Sequence, residues 1–185
     1  MGEAEESEDY GMDEKLKKIP GEFLERMKGM LGDEFEDFLN SYGDERTFGL
    51  RVNEEKIACE EFEKIVPFAA ERIPWIGNGY FYKEESRPSR CPFYQAGLYY
   101  LQEPSAMTPA ECLPVNPGEY VLDLCAAPGG KATALGAKLK GKGVLAANDI
   151  STSRARALLR NIELFGIPNV CILSEPPEKL GKAFP

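Results

Sequence analysis

Residues 125–131 read Cys-Ala-Ala-Pro-Gly-Gly-Lys and follow directly on an apolar run, residues 120–124, that is typical of a buried strand. The two alanines let a ligand approach the backbone closely, and the paired glycines reach conformations that strain other residues. A helix is predicted from Lys131 onwards, and its first N–H groups and positive end attract an anion. This segment therefore predicts a strand-to-helix turn that binds a ligand carrying negative charge.

Two acidic residues follow at the ends of later apolar runs. Asp149 lies twenty positions after Gly129, where a carboxylate can accept hydrogen bonds from both hydroxyls of a ribose. Glu175 ends a third apolar run and is placed to meet the amino group of an adenine. Turn and acids together indicate a nucleoside ligand.

The glycine spacing narrows the choice of nucleoside. A dinucleotide site needs G-x-G-x-x-G, but Ala, Pro and Lys stand at the corresponding positions, and no G-x-x-x-x-G-K-[ST] loop occurs. S-adenosylmethionine is the remaining common ligand with a ribose, an adenine and a small carboxylate, and Lys131 suits that carboxylate. The alternative is a plain tight turn in which Asp149 caps the following helix.

Hydrophobic patterning places the turn in an order of strand, helix, strand, helix, strand. This order is typical of a right-handed parallel sheet, so the predicted fold class is α/β with a Rossmann-like sheet. Ser151 is the predicted cap of the second helix and Gly166 its end. The predicted strands are residues 98–102, 120–124, 143–149 and 169–175, and the predicted helices are residues 103–113, 131–141 and 151–166.

A smaller α/β module is predicted over residues 13–86. It comprises two short helices around a break at Gly32-Asp33, and a helix over 58–66 with Phe62, Ile65 and Val66 facing inward. A strand is predicted at 47–53, and a second strand, or a hairpin around Gly77-Asn78-Gly79, at 74–83. Residues 1–12 are acidic and poor in apolar side chains, which predicts a disordered tail. A charged, proline-bearing connection marks the boundary, so the parallel-sheet domain is predicted over residues 87–185.

The formal net charge of −9 is unevenly distributed along the chain. Residues 1–40 hold 13 acids and 5 bases, whereas residues 131–160 hold seven Lys or Arg and one acid, Asp149. Such a local excess of positive charge could face the phosphates of a nucleic acid. A set of solvated helix faces explains the same residues equally well.

Five cysteines without CxxC spacing, and the absence of histidine, limit the available chemistry. They indicate neither a disulfide framework nor a zinc site, and Ser/His/Asp and Cys/His catalysis are excluded within this chain. No segment has the length of a membrane span or the pattern of a signal peptide. We therefore expect a soluble, cytoplasmic protein with reduced thiols and no membrane partner.

The segments DLCAAPGGKAT, QEPSAM, GLRVN and AANDISTSRARALLRNIELFG resemble the Sun family of RNA cytosine methyltransferases. Residues ~18–185 are similar to the N-terminal part of its bacterial RsmF-like branch. The resemblance implies methylation of carbon 5 of a cytosine in ribosomal RNA, with S-adenosyl-L-methionine as cofactor and RNA as partner. The predicted cofactor-binding residues are Cys125, Ala126, Ala127, Pro128, Gly129, Gly130, Lys131, Asp149, Arg154 and Glu175.

The sequence departs from the family pattern in one respect. Family enzymes use cysteines of a Thr-Cys and a Pro-Cys motif that follow the fourth strand, and these motifs are expected beyond Pro185, which leaves the chain inactive alone. Cys125 is not predicted to replace them, because its family position packs beside the cofactor. The other four cysteines are predicted to be buried. Without the fourth strand, residues 120–124 form an exposed apolar edge, which predicts self-association.

Two other functions stay open. The chain could be a non-catalytic RNA-binding or assembly module that retains the methyltransferase scaffold, in which case it would bind RNA but not the cofactor. A nicotinamide-dependent oxidoreductase would require NADH binding, and the missing third glycine argues against it.

Overall fold

The computed structural model describes residues 18–183, apart from the side chain of Ala183. The chain divides into two compact units, one ending at Arg46 and the other beginning at Thr47. The predicted acidic tail, residues 1–12, lies outside the described residues.

The described part of the first unit consists of two short helices, α1 (Gly21–Leu31) and α2 (Phe35–Asn40). The predicted break between them is confirmed, because Gly32 ends α1 with a φ of 54°, a conformation that favours glycine. Phe38 of α2 contacts the rings of Phe23, Phe35 and Tyr42 at centroid distances of 6.3, 6.2 and 5.3 Å. Aromatic contacts therefore join the two helices.

An antiparallel sheet of four strands begins the second unit, in the order β2-β3-β1-β4. Its elements are β1 (Phe48–Val52), α3 (Cys59–Ile65), β2 (Ala70–Arg72), β3 (Gly79–Tyr82), α4 (Pro92–Gln95) and β4 (Tyr99–Leu101). The central strand β1 pairs with both β3 and β4. The predicted strand at 47–53 is confirmed, and that at 74–83 is confirmed only for Gly79–Tyr82, because residues 74–78 form turns. The patterns do not predict β2, since its Ala-Glu-Arg sequence has no apolar alternation.

Hydrogen bonding crosses the domain boundary predicted between residues 86 and 87. Strand β4 lies beyond it and yet completes the first sheet, with Leu101 opposite Leu50. A three-residue strand carries too little hydrophobic pattern to reveal its pairing partner. Division into domains at this point stays a prediction, but the sheet itself extends to Leu101.

Large aromatic side chains form the core of this sheet. Phe62 of α3 is fully buried and lies 5.5 and 5.7 Å, between ring centroids, from Tyr80 and Tyr99. Leu50 of β1 is buried in the same cluster. The prediction that Ile65 faces inward is wrong: it is the last residue of α3 and is 45 % exposed, so Phe62 makes the contact one turn earlier.

Three parallel strands follow in the order β5-β6-β7, as expected for a Rossmann-like α/β fold. The elements are α5 (Pro104–Cys112), β5 (Tyr120–Asp123), α6 (Gly130–Lys138), β6 (Val144–Asn148), α7 (Thr152–Phe165), β7 (Val170–Leu173) and α8 (Pro177–Ala183). Leu135, Leu145, Leu158 and Phe165 belong to the buried cluster that joins helices and sheet. None of the described helices is long and apolar enough to cross a membrane.

Strand β5 lies at the edge of this sheet, paired with β6 and with no other strand among the described residues. Tyr120 is 86 % exposed, and Leu122 and Leu124 are 44 % and 41 % exposed. The prediction of a buried strand is wrong, because nothing described covers this edge, and the prediction of an exposed apolar edge is confirmed. Self-association through β5 stays a prediction.

Cysteine burial differs from the prediction for three of the four residues. Cys59 is buried as predicted, Cys91 is half-buried, and Cys112 and Cys171 are exposed. Cys112 ends α5, and Cys171 lies on the edge strand β7. Both positions lack a covering element within the described chain, which explains their exposure.

Gly143→Ala should destabilise the protein more than Gly166→Ala does. Both glycines have nearly the same positive φ, 74° and 73°, so the added strain is matched. Only at Gly143 would the new Cβ overlap a backbone atom, the carbonyl oxygen of Glu119, whereas nothing lies within 4 Å at Gly166. We expect Gly143→Ala to lower the free energy of unfolding by about 1–3 kcal/mol more, measured by urea denaturation. Equal losses would contradict this packing argument.

Candidate cofactor site

The glycine turn connects β5 to α6, and its two glycines are closely packed. Gly129 has a φ of 117°, and a Cβ there would lie 3.3 Å from Leu158 of α7. A Cβ on Gly130 would lie 3.1 Å from the amide carbon of Gln102. Larger residues would therefore displace the turn from both neighbours, which gives a packing reason for glycine in addition to the conformational one.

Side chains from three elements hold four consecutive carbonyl oxygens of this turn. Arg154 donates to the carbonyl of Ala127 (2.8 Å) and Asn161 to that of Pro128 (2.7 Å). Thr133 donates to the carbonyl of Gly129 (2.7 Å) and Arg51 to that of Gly130 (3.1 Å). In a trans peptide group the following N–H points away from the C=O. The N–H groups of Gly129, Gly130 and Lys131 therefore point away from these donors, as a helix N-terminus that binds an anion requires.

Asp149 lies just beyond the end of β6 and is only 2 % exposed. Its Oδ1 accepts a hydrogen bond from the Ser151 N–H (3.0 Å), and its Oδ2 lies 3.3 Å from Nη1 of Arg154. Ser151 occupies the position before α7, but the prediction that its side chain caps the helix is wrong, because its hydroxyl contacts Ser153 instead. Arg154 thus bridges the acid and the turn.

Asn148, which the sequence patterns do not single out, joins the ends of all three strands. It is 1 % exposed, and its amide nitrogen donates to Leu124 O (3.1 Å) and Glu175 O (2.9 Å). Its amide oxygen accepts from the Glu175 N–H at 2.9 Å. The backbone of Glu175 is thereby held beside β6, while its carboxylate pairs with Lys179 at 2.9 Å.

Asp123, at the end of β5, is a second residue that sequence reasoning missed. Its Oδ1 accepts the Cys125 N–H (3.2 Å), whereas its buried Oδ2 has no hydrogen-bond partner among the described residues. Burial raises the pKa of this carboxyl above its ordinary value; the Cys125 hydrogen bond and the charge of Lys131 partly oppose the rise, and Asp149 adds to it. A buried acceptor without a donor suits a cationic group of a ligand.

Three of the four buried, unpartnered side-chain atoms in residues 18–183 belong to residues at the turn. They are Arg51 Nε, Gln102 Oε1 and Asp123 Oδ2, and the fourth is Asn169 Oδ1. Native proteins keep few such atoms, and those that remain concentrate where function requires them. This concentration marks the turn as a site.

The structure brings the predicted site residues to one edge of the parallel sheet. Ala126, Ala127 and Gly129 are buried, while Cys125, Pro128 and Lys131 are exposed. Arg154 contacts both the turn and Asp149, and Glu175 is joined to them through Asn148. Whether each of these residues contacts a cofactor stays a prediction.

The basic segment at residues 131–160 is only partly free to face phosphates. Lys138 donates to the carbonyls of Ala110, Glu111 and Leu113 at 2.7–3.1 Å, and so caps the C-terminal end of α5. Arg154 is occupied by its contacts with the Ala127 carbonyl and the Asp149 carboxylate. Lys131, Lys140, Lys142, Arg156 and Arg160 are exposed.

A parallel sheet with a glycine turn after its first strand and an acid after its second is the architecture of a Rossmann-like nucleotide-binding fold. Two family models match the chain: the N-terminal domain of 16S rRNA methyltransferase RsmF over residues 19–104, and 16S rRNA methyltransferase RsmB/F over residues 110–183. The two matches follow one another and together cover most of the chain, which therefore fits the N-terminal part of an RsmF-like protein.

Curated relatives agree with this family. Ribosomal RNA small subunit methyltransferase F of Vibrio parahaemolyticus is 35 % identical over 83 % of this chain, and that of Pectobacterium carotovorum is 33 % identical over 90 %. These alignments cover 34 % and 37 % of the two relatives. The chain thus spans about a third of the length of the curated relatives it matches.

Solved structures share the fold. A methyltransferase homolog protein from Pyrococcus horikoshii superposes with a TM-score of 0.81 at 28 % identity, covering 90 % of this chain and 56 % of that one. NSun6 from Pyrococcus horikoshii superposes with a TM-score of 0.79 at 19 % identity, covering 90 % and 68 %. The Rossmann-like α/β fold is thereby confirmed.

Asp123→Asn should stabilise the ligand-free protein at neutral pH. Folding raises the pKa of the Asp123 carboxyl, so this group loses its proton more readily in the unfolded protein than in the folded one. The folded state is therefore destabilised as the pH rises from the ordinary pKa of 3.8 through the raised pKa. The amide removes the charge and retains the acceptor for the Cys125 N–H. We expect the stability difference between variant and wild type, measured by denaturation from pH 3 to pH 8, to grow with pH. Glu178→Gln, at an exposed acid, is the control and should show no such trend.

Proposed function

We propose that this chain binds S-adenosyl-L-methionine and forms the cofactor-binding part of an enzyme that methylates carbon 5 of a cytosine in ribosomal RNA. Similarity to the RsmF family supports the reaction class, and the resemblance to the Sun family supports carbon 5 as the position. One observation carries the proposal. Side chains donate hydrogen bonds to four carbonyls of the turn, and Asp123 and Asp149 lie at the ends of the two adjacent strands.

The residues present fit the chemical groups of this cofactor. Asp149 would accept hydrogen bonds from the ribose hydroxyls once Arg154 gives up its contact with Oδ2. The unpartnered Oδ2 of Asp123 would accept from the ammonium group, and Lys131 with the first turn of α6 would face the carboxylate. The Glu175 carboxylate would face the adenine amino group.

The proposed binding residues are the seven of the turn, Cys125 to Lys131, together with Asp149, Arg154 and Glu175. S-adenosylmethionine supplies the methyl group when bound, and these residues bind and orient it. Arg154 acts in this proposal through both Asp149 and the Ala127 carbonyl. No described cysteine is assigned the role of nucleophile, since the resemblance attributes that role to motifs after a fourth strand.

We infer that RNA is the macromolecular partner and that the protein acts in the cytoplasm. Both relatives compared above are named as ribosomal RNA small subunit methyltransferases, and they come from bacteria. The exposed cations of α7, Arg156 and Arg160, lie one helical turn apart and would contact phosphates.

Asp149→Ala should weaken the binding of S-adenosylmethionine at least about tenfold, because two hydrogen bonds to the ribose would be lost. Glu163→Ala, at an exposed acid near the C-terminal end of α7 and away from the turn, is the control and should leave the affinity unchanged. Isothermal titration calorimetry measures both. Absence of binding to the wild-type chain, together with retained RNA affinity, would favour a non-catalytic RNA-binding module.

Replacing Arg156 and Arg160 by Gln should weaken RNA binding. The affinity should also fall less steeply with salt: the slope of log affinity against log salt concentration should become less negative by about 2, because each phosphate contact releases counterions. Fluorescence anisotropy with a ribosomal RNA fragment at several salt concentrations gives the slope. The control is Lys179→Gln, because that lysine lies on α8 and not on α7, and its charge is already paired with Glu175. A slope that is equal in wild type and double variant would rule out phosphate contacts by these two arginines.

A further inference from the structure

Three polar side chains at the end of the central strand of the first sheet reach into the parallel-sheet layer. They are Arg51, Asn53 and Lys56, spaced i, i+2 and i+5, and we call them the β1 clamp. Each donates hydrogen bonds to two acceptors outside the first sheet, so side chains from β1 and from the turn that follows it join two layers of the fold. None of these contacts is used in the cofactor site as proposed above, except that of Arg51 with Gly130.

Arg51 contacts the start of α6. Its Nη2 donates to Gly130 O (3.1 Å) and to the Thr133 hydroxyl (2.7 Å), and that hydroxyl donates in turn to Gly129 O (2.7 Å). One guanidinium therefore contacts Gly130 directly and is linked to Gly129 through the Thr133 hydroxyl.

Arg51 occupies an unusual environment for a cation. It is 4 % exposed, its guanidinium carbon lies 5.9 Å from the ring centroid of Phe165, and it has no ion-pair partner among the described residues. Burial lowers its pKa to about 10. Apolar residues often replace buried charges without loss of stability, so burial of this charge is weak evidence for a purely stabilising role.

Asn53 and Lys56 contact the other end of the layer, the C-terminus of α7. Asn53 donates to Phe165 O (3.1 Å) and Gly97 O (3.0 Å). Lys56 donates to Leu164 O (2.7 Å) and Ala96 O (2.7 Å). The last carbonyls of a helix have no intrahelical donors, so these side chains cap the C-terminus of α7. The positive charge of Lys56 also interacts favourably with the negative end of the helix dipole.

We propose that Arg51 is a positioning residue for cofactor binding: from the first sheet, it holds the Gly129–Gly130 turn in the conformation that binds S-adenosylmethionine, while Asn53 and Lys56 cap α7. The inference rests on the proposed function and extends the site to a strand outside the parallel sheet. Arg51 acts through Gly130 and Thr133 and does not contact the ligand.

The two ends of the clamp have different consequences for the site. Arg51 contacts the turn itself, whereas Lys56 contacts carbonyls at the end of α7 that is remote in sequence from Arg154. Loss of Lys56 should therefore lower stability only, and loss of Arg51 should alter the turn. This difference separates positioning from general stabilisation.

Arg51→Met, Arg51→Lys and Lys56→Met test the proposal in the full chain. In the ligand-free protein, amide hydrogen exchange of residues 133–136, the first hydrogen-bonded turn of α6, should be accelerated in Arg51→Met but not in Lys56→Met. By calorimetry, Arg51→Met should bind S-adenosylmethionine at least about tenfold more weakly, since small displacements of a site are costly. Arg51→Lys should recover part of the affinity, and Lys56→Met should retain all of it while its thermal midpoint falls.

The proposal is overturned by equal exchange at residues 133–136 in Arg51→Met and Lys56→Met, or by unchanged cofactor affinity in Arg51→Met. Where Arg51→Met does not fold, Thr133→Val removes the hydrogen bonds from Arg51 to Thr133 and from Thr133 to Gly129, and it should also weaken binding. A wild-type chain that does not bind S-adenosylmethionine would contradict the proposed function, and the exchange measurement would still decide whether Arg51 positions the turn.

Discussion

The backbone oxygens of a tight turn must find donors when packing removes them from water, and the cofactor site depends on how this chain meets that requirement. Four successive carbonyls, from Ala127 to Gly130, receive hydrogen bonds from side chains of α6, α7 and β1. An unsatisfied buried carbonyl costs about 1–3 kcal/mol, so the donors to the buried and half-buried hydrogen bonds, those of Ala127, Gly129 and Gly130, favour one orientation of the turn. That orientation directs the N–H groups of the turn away from the protein interior.

Polar contacts also keep the ends of β5, β6 and β7 together. Apolar contacts alone are not directional and would fix these strand ends less firmly. Asn148 bonds to backbone atoms that follow β5 and β7, and it is almost completely buried. Its amide provides both donors and an acceptor, which no apolar side chain of that size can replace. The acids at these strand ends, Asp123 and Asp149, are thereby held at one edge of the sheet.

The site retains features that reduce stability. Asp123 keeps a buried oxygen without a donor, and Arg51 keeps a buried charge without a carboxylate. Both are the kind of local conflict that proteins tolerate where a ligand or a fixed geometry is needed. The rest of the core is conventional by comparison, with aromatic packing around Phe62 in the first sheet and leucine packing around Leu145 and Leu158 in the second.

The local sequence by itself determined the order of strands and helices, the glycine turn and the acid at position 149, because hydrophobic periodicity and glycine placement act over a few residues. It did not reveal β2 or the pairing of β4 with β1, since three-residue strands are stabilised by partners distant in the chain. Only the tertiary structure decided that Arg51 contacts the turn, that Asn148 and Asp123 lie at the adjoining strand ends, and that Lys138 caps α5. These roles depend on which backbone carbonyls come within hydrogen-bond distance, and folding alone brings together groups separated by tens of residues.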